Sequence, residues 1–442
     1  MSMSSIVLAG LAAALAGAIA QDASAVATLA AALGKVSPPT LYALAAFVAV
    51  VVLFLVTLPK GGGADPAAPS LACPATAWPA GKPVMTDPQT YPTYDLNDPK
   101  GSFSAVNQML IAEMCSELGP GYELPPPEVE WVRKMLDYNV CGGKMNRGLM
   151  VVESGREIFK ATGKPLTNEL LVKFAILGWC IEWLQAWLLV ADDFMDDSQT
   201  RRGQMCWYLQ PHVKKIALND AFMIEMLIFK ILKRHFGDAP YYVQLLDLML
   251  ETSFQTECGQ LLDTLCMNLD LPDFTLERWT SIVKYKTAFY SFYLPVAMGM
   301  IVAGISDKAE FDAARDILLI MGIYFQAQDD YLDCFGTPEQ IGKVGTDIQD
   351  KKCGWLFANA YHQGLCTPEQ KALLERTYGK CKVFSPEEAA IKELYKAIKL
   401  PEIYEKYEQD SYDRIMRLRG TTKQVPWPVF EIFLKKIYKR SK

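Results

Sequence analysis

Two acidic clusters have the residue types and spacing to do chemistry: Asp192-Asp193-Phe194-Met195-Asp196 and Asp329-Asp330-Tyr331-Leu332-Asp333, each of the form D-D-x-x-D. On an α-helix residues four apart share a face, so Asp192 and Asp196, and separately Asp329 and Asp333, point together into whatever lies beside them. Two such faces form a carboxylate cage. Unpaired, these charges would repel and resist desolvation. A hard divalent cation relieves both problems, and Mg²⁺ in particular prefers a few carboxylates completed by substrate phosphates. The pair therefore reads as a site for Mg²⁺ and a diphosphate. One acidic cluster alone is equally well a solvated patch at a helix end. Here each closes an apolar stretch, Trp183 to Ala191 and Met321 to Phe325, that should be buried, and so places charge where a surface helix would not.

The chain that carries these clusters has 442 residues, 51% of them hydrophobic and 21% charged, enough to bury a large core as one large domain or two. The 44 basic against 50 acidic residues give a net charge of −6 without a domain-wide basic stripe, which argues against a nucleic-acid partner. Eleven cysteines show no C-x-x-C pair and read as mostly buried thiols in a reducing compartment. The three histidines, His212, His235 and His362, are not spaced as metal ligands, so zinc chemistry is not expected.

Helical spacing dominates from about Tyr94 onward. Thr167-Asn168-Glu169 offers capping residues before Leu170, Phe174, Leu177, Ile181, Leu184 and Leu188, one helix that delivers Gln185 and the first aspartate cluster to its C-terminal end. Similar periodicity predicts helices through Asp220 to His235, Tyr241 to Leu262, Trp279 to Ile305 and Glu310 to Asp333, and no sustained alternation suggests strands. The expected fold is all-α, a helical bundle around a central cavity.

Before that bundle the chain changes character. Leu41 to Leu58 is almost uninterrupted apolar sequence ended by Pro59-Lys60 and three glycines, near the lower limit of about 17 residues that crosses a bilayer core. A buried core helix has the same composition, but residues 59–94 are rich in Gly, Pro and Ala like a tether, which favours a membrane anchor. Residues 1–40 include a shorter apolar stretch, Ile6 to Ala20, without a basic n-region, whose role as targeting element or second span stays open. Lys60, Lys82 and Lys100 follow the span while Lys35 precedes it, so the catalytic region 95–442 is expected on the cytosolic side, at the endoplasmic reticulum or an organellar membrane.

Leu184 to Asp193 followed by Thr200-Arg201-Arg202-Gly203-Gln204 closely resembles the first aspartate-rich motif of trans-isoprenyl diphosphate synthases, most closely the eukaryotic farnesyl diphosphate synthases. In the same order follow the family's other motifs, among them Gly142-Gly143-Lys144-Met145-Asn146-Arg147-Gly148, Gly259-Gln260-Leu261-Leu262-Asp263, Tyr285-Lys286-Thr287-Ala288-Phe289-Tyr290, Phe325-Gln326-Ala327-Gln328-Asp329-Asp330 and Gly345-Thr346-Asp347-Ile348-Gln349-Asp350. The resemblance covers about residues 95 to 442 and leaves residues 1–94 without a counterpart.

The resemblance implies a prenyltransferase. An allylic diphosphate, dimethylallyl or geranyl, ionises, and the double bond of isopentenyl diphosphate attacks the cation in a head-to-tail 1'-4 coupling. Three Mg²⁺ per site are implied, with Mn²⁺ as an alternative, held by Asp192, Asp193, Asp196 and Asp329 and, through water, by Asp330 and Asp333. Arg201, Lys286 and Lys343 would contact the allylic diphosphate, and Lys352 would also bind substrate. Lys144, Arg147, Arg202 and Gln185 would hold isopentenyl diphosphate without metal, the arginine fork being suited to phosphate. Thr287, Tyr290, Phe325 and Gln326 would line the cation's path. A homodimer is also implied.

Where two phenylalanines usually floor the chain pocket of these synthases, this sequence has Trp187 and Leu188, five and four residues before Asp192. Leu188 lies one turn beneath Asp192, about 6 Å along the helix axis. Leucine for phenylalanine deepens the pocket and tryptophan for phenylalanine fills it. A C15 product is the expectation, with C10 if the indole tilts inward and C20 if it turns away. A terpene synthase on the same scaffold would keep the aspartates but tend to lose Lys144, Arg147 and Arg202, which are all present.

Overall fold

The computed structural model describes residues 90–337 and 344–438. Residues 1–40, the candidate span 41–58, nearly all of the tether 59–94, and Lys343 lie outside the described residues.

The chain runs through α1 (Pro99–Tyr122), α2 (Pro126–Asn139), α3 (Asn146–Thr162) and α4 (Asn168–Met195) to a short hairpin of β1 (Thr200–Arg201) and β2 (Gln204–Met205). It continues through α5 (Ala217–Phe236), α6 (Tyr242–Cys266), α7 (Leu276–Val283), a π-helical segment Lys284–Tyr293, α8 (Leu294–Val302) and α9 (Lys308–Phe335). Shorter helices α10 (Trp355–His362), α11 (Pro368–Thr377), α12 (Pro386–Ala397), α13 (Leu400–Arg417) and α14 (Trp427–Ile437) complete the body. The two-residue strands are the only ones among the described residues.

Helix α4 is the hub. Thr167 caps it, its hydroxyl accepting the Leu170 N–H at 3.2 Å, with Glu169 in the first turn where the helix dipole favours it. Its sequence is apolar nearly all round because it is enclosed all round, by α3 and α5 above all and by α1, α2, α6 and α8. It is long and apolar enough to cross a membrane, yet 78% of its most apolar window is buried inside the body, so it is a core helix. Its buried indoles keep their N–H groups satisfied, Trp179 on the Phe103 carbonyl at 2.6 Å and Trp183 on Asn107 at 2.9 Å.

Two features depart from the sequence expectation. The folded body begins before residue 95: Tyr91 and Tyr94 are buried, the Tyr91 hydroxyl meets His235 Nδ1 at 3.0 Å, and the Tyr94 N–H donates to Asn168 at 2.8 Å. The single helix expected from Trp279 to Ile305 is instead α7, the wider π turns and α8 in succession. The cysteines among the described residues are free thiols.

Candidate active site

The first aspartate cluster sits at the C-terminal end of α4, the negative end of the helix dipole, where carboxylates need cationic partners. They have them. Asp193 is buried and accepts from Arg201 Nε at 2.9 Å and Nη2 at 2.5 Å, while Asp192 lies 3.5 Å from Arg201, 3.3 Å from Lys286 and 2.8 Å from Gln260 Nε2. Asp196 meets Lys352 at 3.0 Å. Between the two lysines stands Asp263, 2.5 Å from Lys286 and 3.2 Å from Lys352. Burial pushes the Asp263 carboxyl up, but the two ammonium groups outweigh it and hold the carboxyl below its usual value. Burial depresses Lys286 and Lys352, yet Asp263 and its neighbours hold both raised and charged.

Four carboxylates thus face three cations, and the buried Oδ1 of Asp196 has no hydrogen-bond partner. Residual negative charge and an unused oxygen suit a divalent cation with oxygen ligands, so the donor set fits Mg²⁺. Among the described residues no three His, Cys, Asp or Glu side chains are grouped closely enough to hold a metal by themselves. The carboxylates of the first cluster lie instead against Arg201, Lys286 and Lys352. Where the sequence anticipated a carboxylate cage, the first cluster is a set of ion pairs with Arg201, Lys286 and Lys352.

The second cluster, at the end of α9, is held differently. Asp329 and Asp333 are half-buried, and Asp333 Oδ1 accepts the Asp347 N–H at 3.0 Å. Asp330 is buried with both oxygens occupied: Oδ1 accepts from Gln326 Nε2 at 3.0 Å, and Oδ2 from Trp279 Nε1 and the Trp355 N–H, each at 2.8 Å. Its carboxyl is pushed up to about 6, by burial first and by Asp329, against those three hydrogen bonds. Where a water-mediated metal contact was expected, this side chain ties α7, α9 and α10 together.

Of the residues assigned to the metal-free diphosphate, Arg202 lines one cleft with the Gly142-Gly143 loop, Asp193 and Arg201. Neighbouring Arg201 and Arg202 diverge because Arg202 turns the β1–β2 hairpin at φ 52°. Arg201 goes to the aspartates, and Arg202 reaches the carbonyls of Asn139 and Cys141 at 3.4 Å each, over the Gly142-Gly143 loop that carries exposed Lys144. Arg147 Nε donates to Ser291 at 2.7 Å and its guanidinium lies 4.9 Å from the Tyr290 ring centroid. Gln185 is half-buried with an unpartnered Oε1.

The π-helical segment carries Lys286, Thr287 and Tyr290, in keeping with the association of π turns with functional sites. Gly259 lets α6 approach it: a Cβ there would stand 2.0 Å from the Lys286 backbone nitrogen. The Thr287 hydroxyl donates to Gln326 Oε1 at 3.3 Å, joining this segment to α9, and Phe325 tilts against Phe292 at 5.5 Å. Trp187 is buried in the main apolar cluster, whereas Leu188 is half-buried at its edge.

Sequence reasoning gave no role to Asp263, Gln260, Trp279 or Glu182. Asp263 and Gln260 lay inside a recognised motif, and the spacing Gln260 to Asp263 on one helix face was their available signal. Trp279 offered none.

The chain belongs to the polyprenyl synthetase family, whose profile matches residues 129–398. It is 48% identical over 342 residues to the farnesyl pyrophosphate synthase of Candida albicans, covering 75% of this chain and 95% of the relative. To the farnesyl pyrophosphate synthase of Saccharomyces cerevisiae it is 47% identical over 347 residues, covering 77% and 97%. Among solved structures, T. brucei farnesyl diphosphate synthase complexed with risedronate aligns with TM-score 0.69 at 34% identity, covering 77% of this chain and 99% of that one. The helical fold and the family expected from the sequence are those found.

Proposed function

We propose that the chain is a Mg²⁺-dependent farnesyl diphosphate synthase, adding isopentenyl diphosphate to dimethylallyl and then geranyl diphosphate. The observation that carries this reading is the divergence of Arg201 and Arg202. One neighbour pairs with the acidic, metal-fitting cluster and the next turns to the Gly142-Gly143 loop, as expected for one diphosphate that must leave and one that must stay.

Mg²⁺ bound at the aspartates would neutralise charge developing on the departing diphosphate. Asp192, Asp193, Asp196, Asp329 and Asp333 would hold it. Lys286, Lys352 and Arg201, already charged and oriented by their carboxylates, would add N–H donors to the same diphosphate. Lys144, Arg147, Arg202 and Gln185 would hold isopentenyl diphosphate, with Thr287, Tyr290, Phe325 and Gln326 shielding the cation from water. Trp187 and Leu188 would limit the chain. The experiment is product analysis of the purified chain with isopentenyl diphosphate and each allylic diphosphate. Farnesol released only by phosphatase supports the reading, and hydrocarbons formed without phosphatase replace it with a terpene synthase.

Two further parts of the proposal concern assembly. Phe222 and Met226 on α5, and Phe254 and Leu261 on α6, are all more than half exposed, a large apolar surface on two adjacent helices. A second copy would cover it, and a monomeric mass in light scattering would overturn the homodimer. Residues 41–58 would hold the body at the cytosolic face of a membrane, of the endoplasmic reticulum or an organelle. Deleting residues 1–89 should then move activity from the membrane to the soluble fraction.

A further inference from the structure

Helix α3 opens without a cap of its own. Met145, at its N-cap, is left-handed at φ 52° and its side chain makes no capping hydrogen bond, so the first N–H groups need an acceptor from elsewhere. That acceptor is Glu182 of α4, whose Oε1 receives the Gly148 N–H at 2.8 Å. The two helices touch here: a Cβ on Gly148 would stand 2.8 Å from the Gly178 carbonyl oxygen and 2.9 Å from Glu182 Cγ, and one on Gly178 only 2.4 Å from the Gly148 oxygen. Two glycines therefore bring the start of α3 flush against α4, and a carboxylate fixes it there.

We propose that Glu182 is a positioning residue of the metal-free diphosphate site, fixing from α4 the first turn of α3 and with it Arg147. The inference rests on the function proposed above. Glu182 is 5% exposed. A buried carboxylate beside a site for a polyanion repels that ligand, so its presence calls for a compensating role. Burial pushes its carboxyl up, while the Gly148 N–H and the guanidinium groups of Arg147 and Arg202 oppose that rise. The Glu182 side chain anchors the backbone from which Arg147 projects. Arg147 reaches Ser291 and Tyr290 only from this turn. Because a bidentate phosphate contact depends on placement, a displaced first turn weakens isopentenyl diphosphate more than the removed negative charge strengthens it.

The allylic site supplies an internal control, since its cations project from the hairpin, the π segment and the region before α10. Steady-state kinetics on the full chain, wild type against Glu182→Leu, which removes the acceptor of the Gly148 N–H, and Glu182→Asp, should give a KM for isopentenyl diphosphate raised about tenfold in Glu182→Leu, with kcat and the geranyl diphosphate KM changed by less than about twofold. Glu182→Asp should recover part of the loss. An isopentenyl diphosphate KM that is unchanged or lowered overturns the assignment, as does an equal rise for both substrates, which would mark a merely structural carboxylate. If Glu182→Leu does not fold, the same split is read from Glu182→Asp. A wild-type chain that does not consume isopentenyl diphosphate overturns the function itself and this inference with it.

Discussion

The two aspartate clusters share one five-residue spelling and are held in opposite ways. At the end of α4 the carboxylates are engaged by side-chain cations, Arg201, Lys286 and Lys352, that a diphosphate can share. At the end of α9 the middle aspartate is engaged by one indole and one backbone N–H, which a ligand cannot take without opening the core, and by the half-buried Gln326 amide. Identical motifs therefore take different partners: the first is set among side-chain cations, and the second combines half-buried Asp329 and Asp333 with Asp330 as an internal tie. Side-chain partners, not the motif, decide which carboxylate is free to act.

The largest expected effect separates the clusters by rate. Asp192→Ala or Asp329→Ala should lower kcat by about 10²–10³ or more with little change in thermal stability, because each removes charge aimed at the leaving group. Near-normal turnover would remove both residues from the metal site. Asp330→Ala should do the reverse. It strands the Trp279 and Trp355 N–H groups in the core, so the protein should lose about 2–4 kcal/mol, read by urea unfolding. An Asp330→Ala protein as stable as wild type would make its enclosure irrelevant.

A pH experiment sharpens the same contrast. The Asp330 carboxyl stands at about 6 in the fold against 3.8 for the free side chain, so between those values the folded chain binds the extra proton. Its contribution to stability is therefore present at low pH and declines as pH rises from about 4 to 6, opposite to the usual salt-bridged aspartate. Asp330→Asn keeps an acceptor for both N–H groups and lets Gln326 turn its amide. Metal-free Asp330→Asn should lack that decline when melting is followed across pH 4 to 7, and an unaltered pH profile would place the titration elsewhere.

How much of this was legible depended on sequence distance. The capped, periodic α4 with its terminal aspartates could be read directly, since Thr167 and the apolar spacing are local signals. Asp330 could not, because its indole partner lies 51 residues away and its backbone partner 25 residues away. The π segment escaped for another reason: its apolar residues still recur every few positions, and only the approach of Gly259 to Lys286 reveals the wider turns. The start of the folded body was hidden in a proline-rich stretch, where two tyrosines anchor to residues far along the chain.

The smallest effect concerns what lies one turn beneath each cluster. Four residues before Asp329 stands Phe325, and four before Asp192 stands Leu188, each on the same helix face as its aspartate. Below the second cluster the ring packs on Phe292, whereas below the first the smaller, half-buried Leu188 stands next to the buried Trp187. On the function proposed, a growing tail whose diphosphate is held at Asp192 would descend past Leu188, so that side chain would meet the second added unit and not the first. Leu188→Phe makes the two floors alike. It should leave the rate of geranyl diphosphate formation within about twofold and raise the geranyl to farnesyl product ratio by about tenfold, the scale on which a pocket discriminates by a few methylenes. An unchanged ratio would move the floor off α4's Leu188, and the asymmetry between the two clusters would then end at their charges.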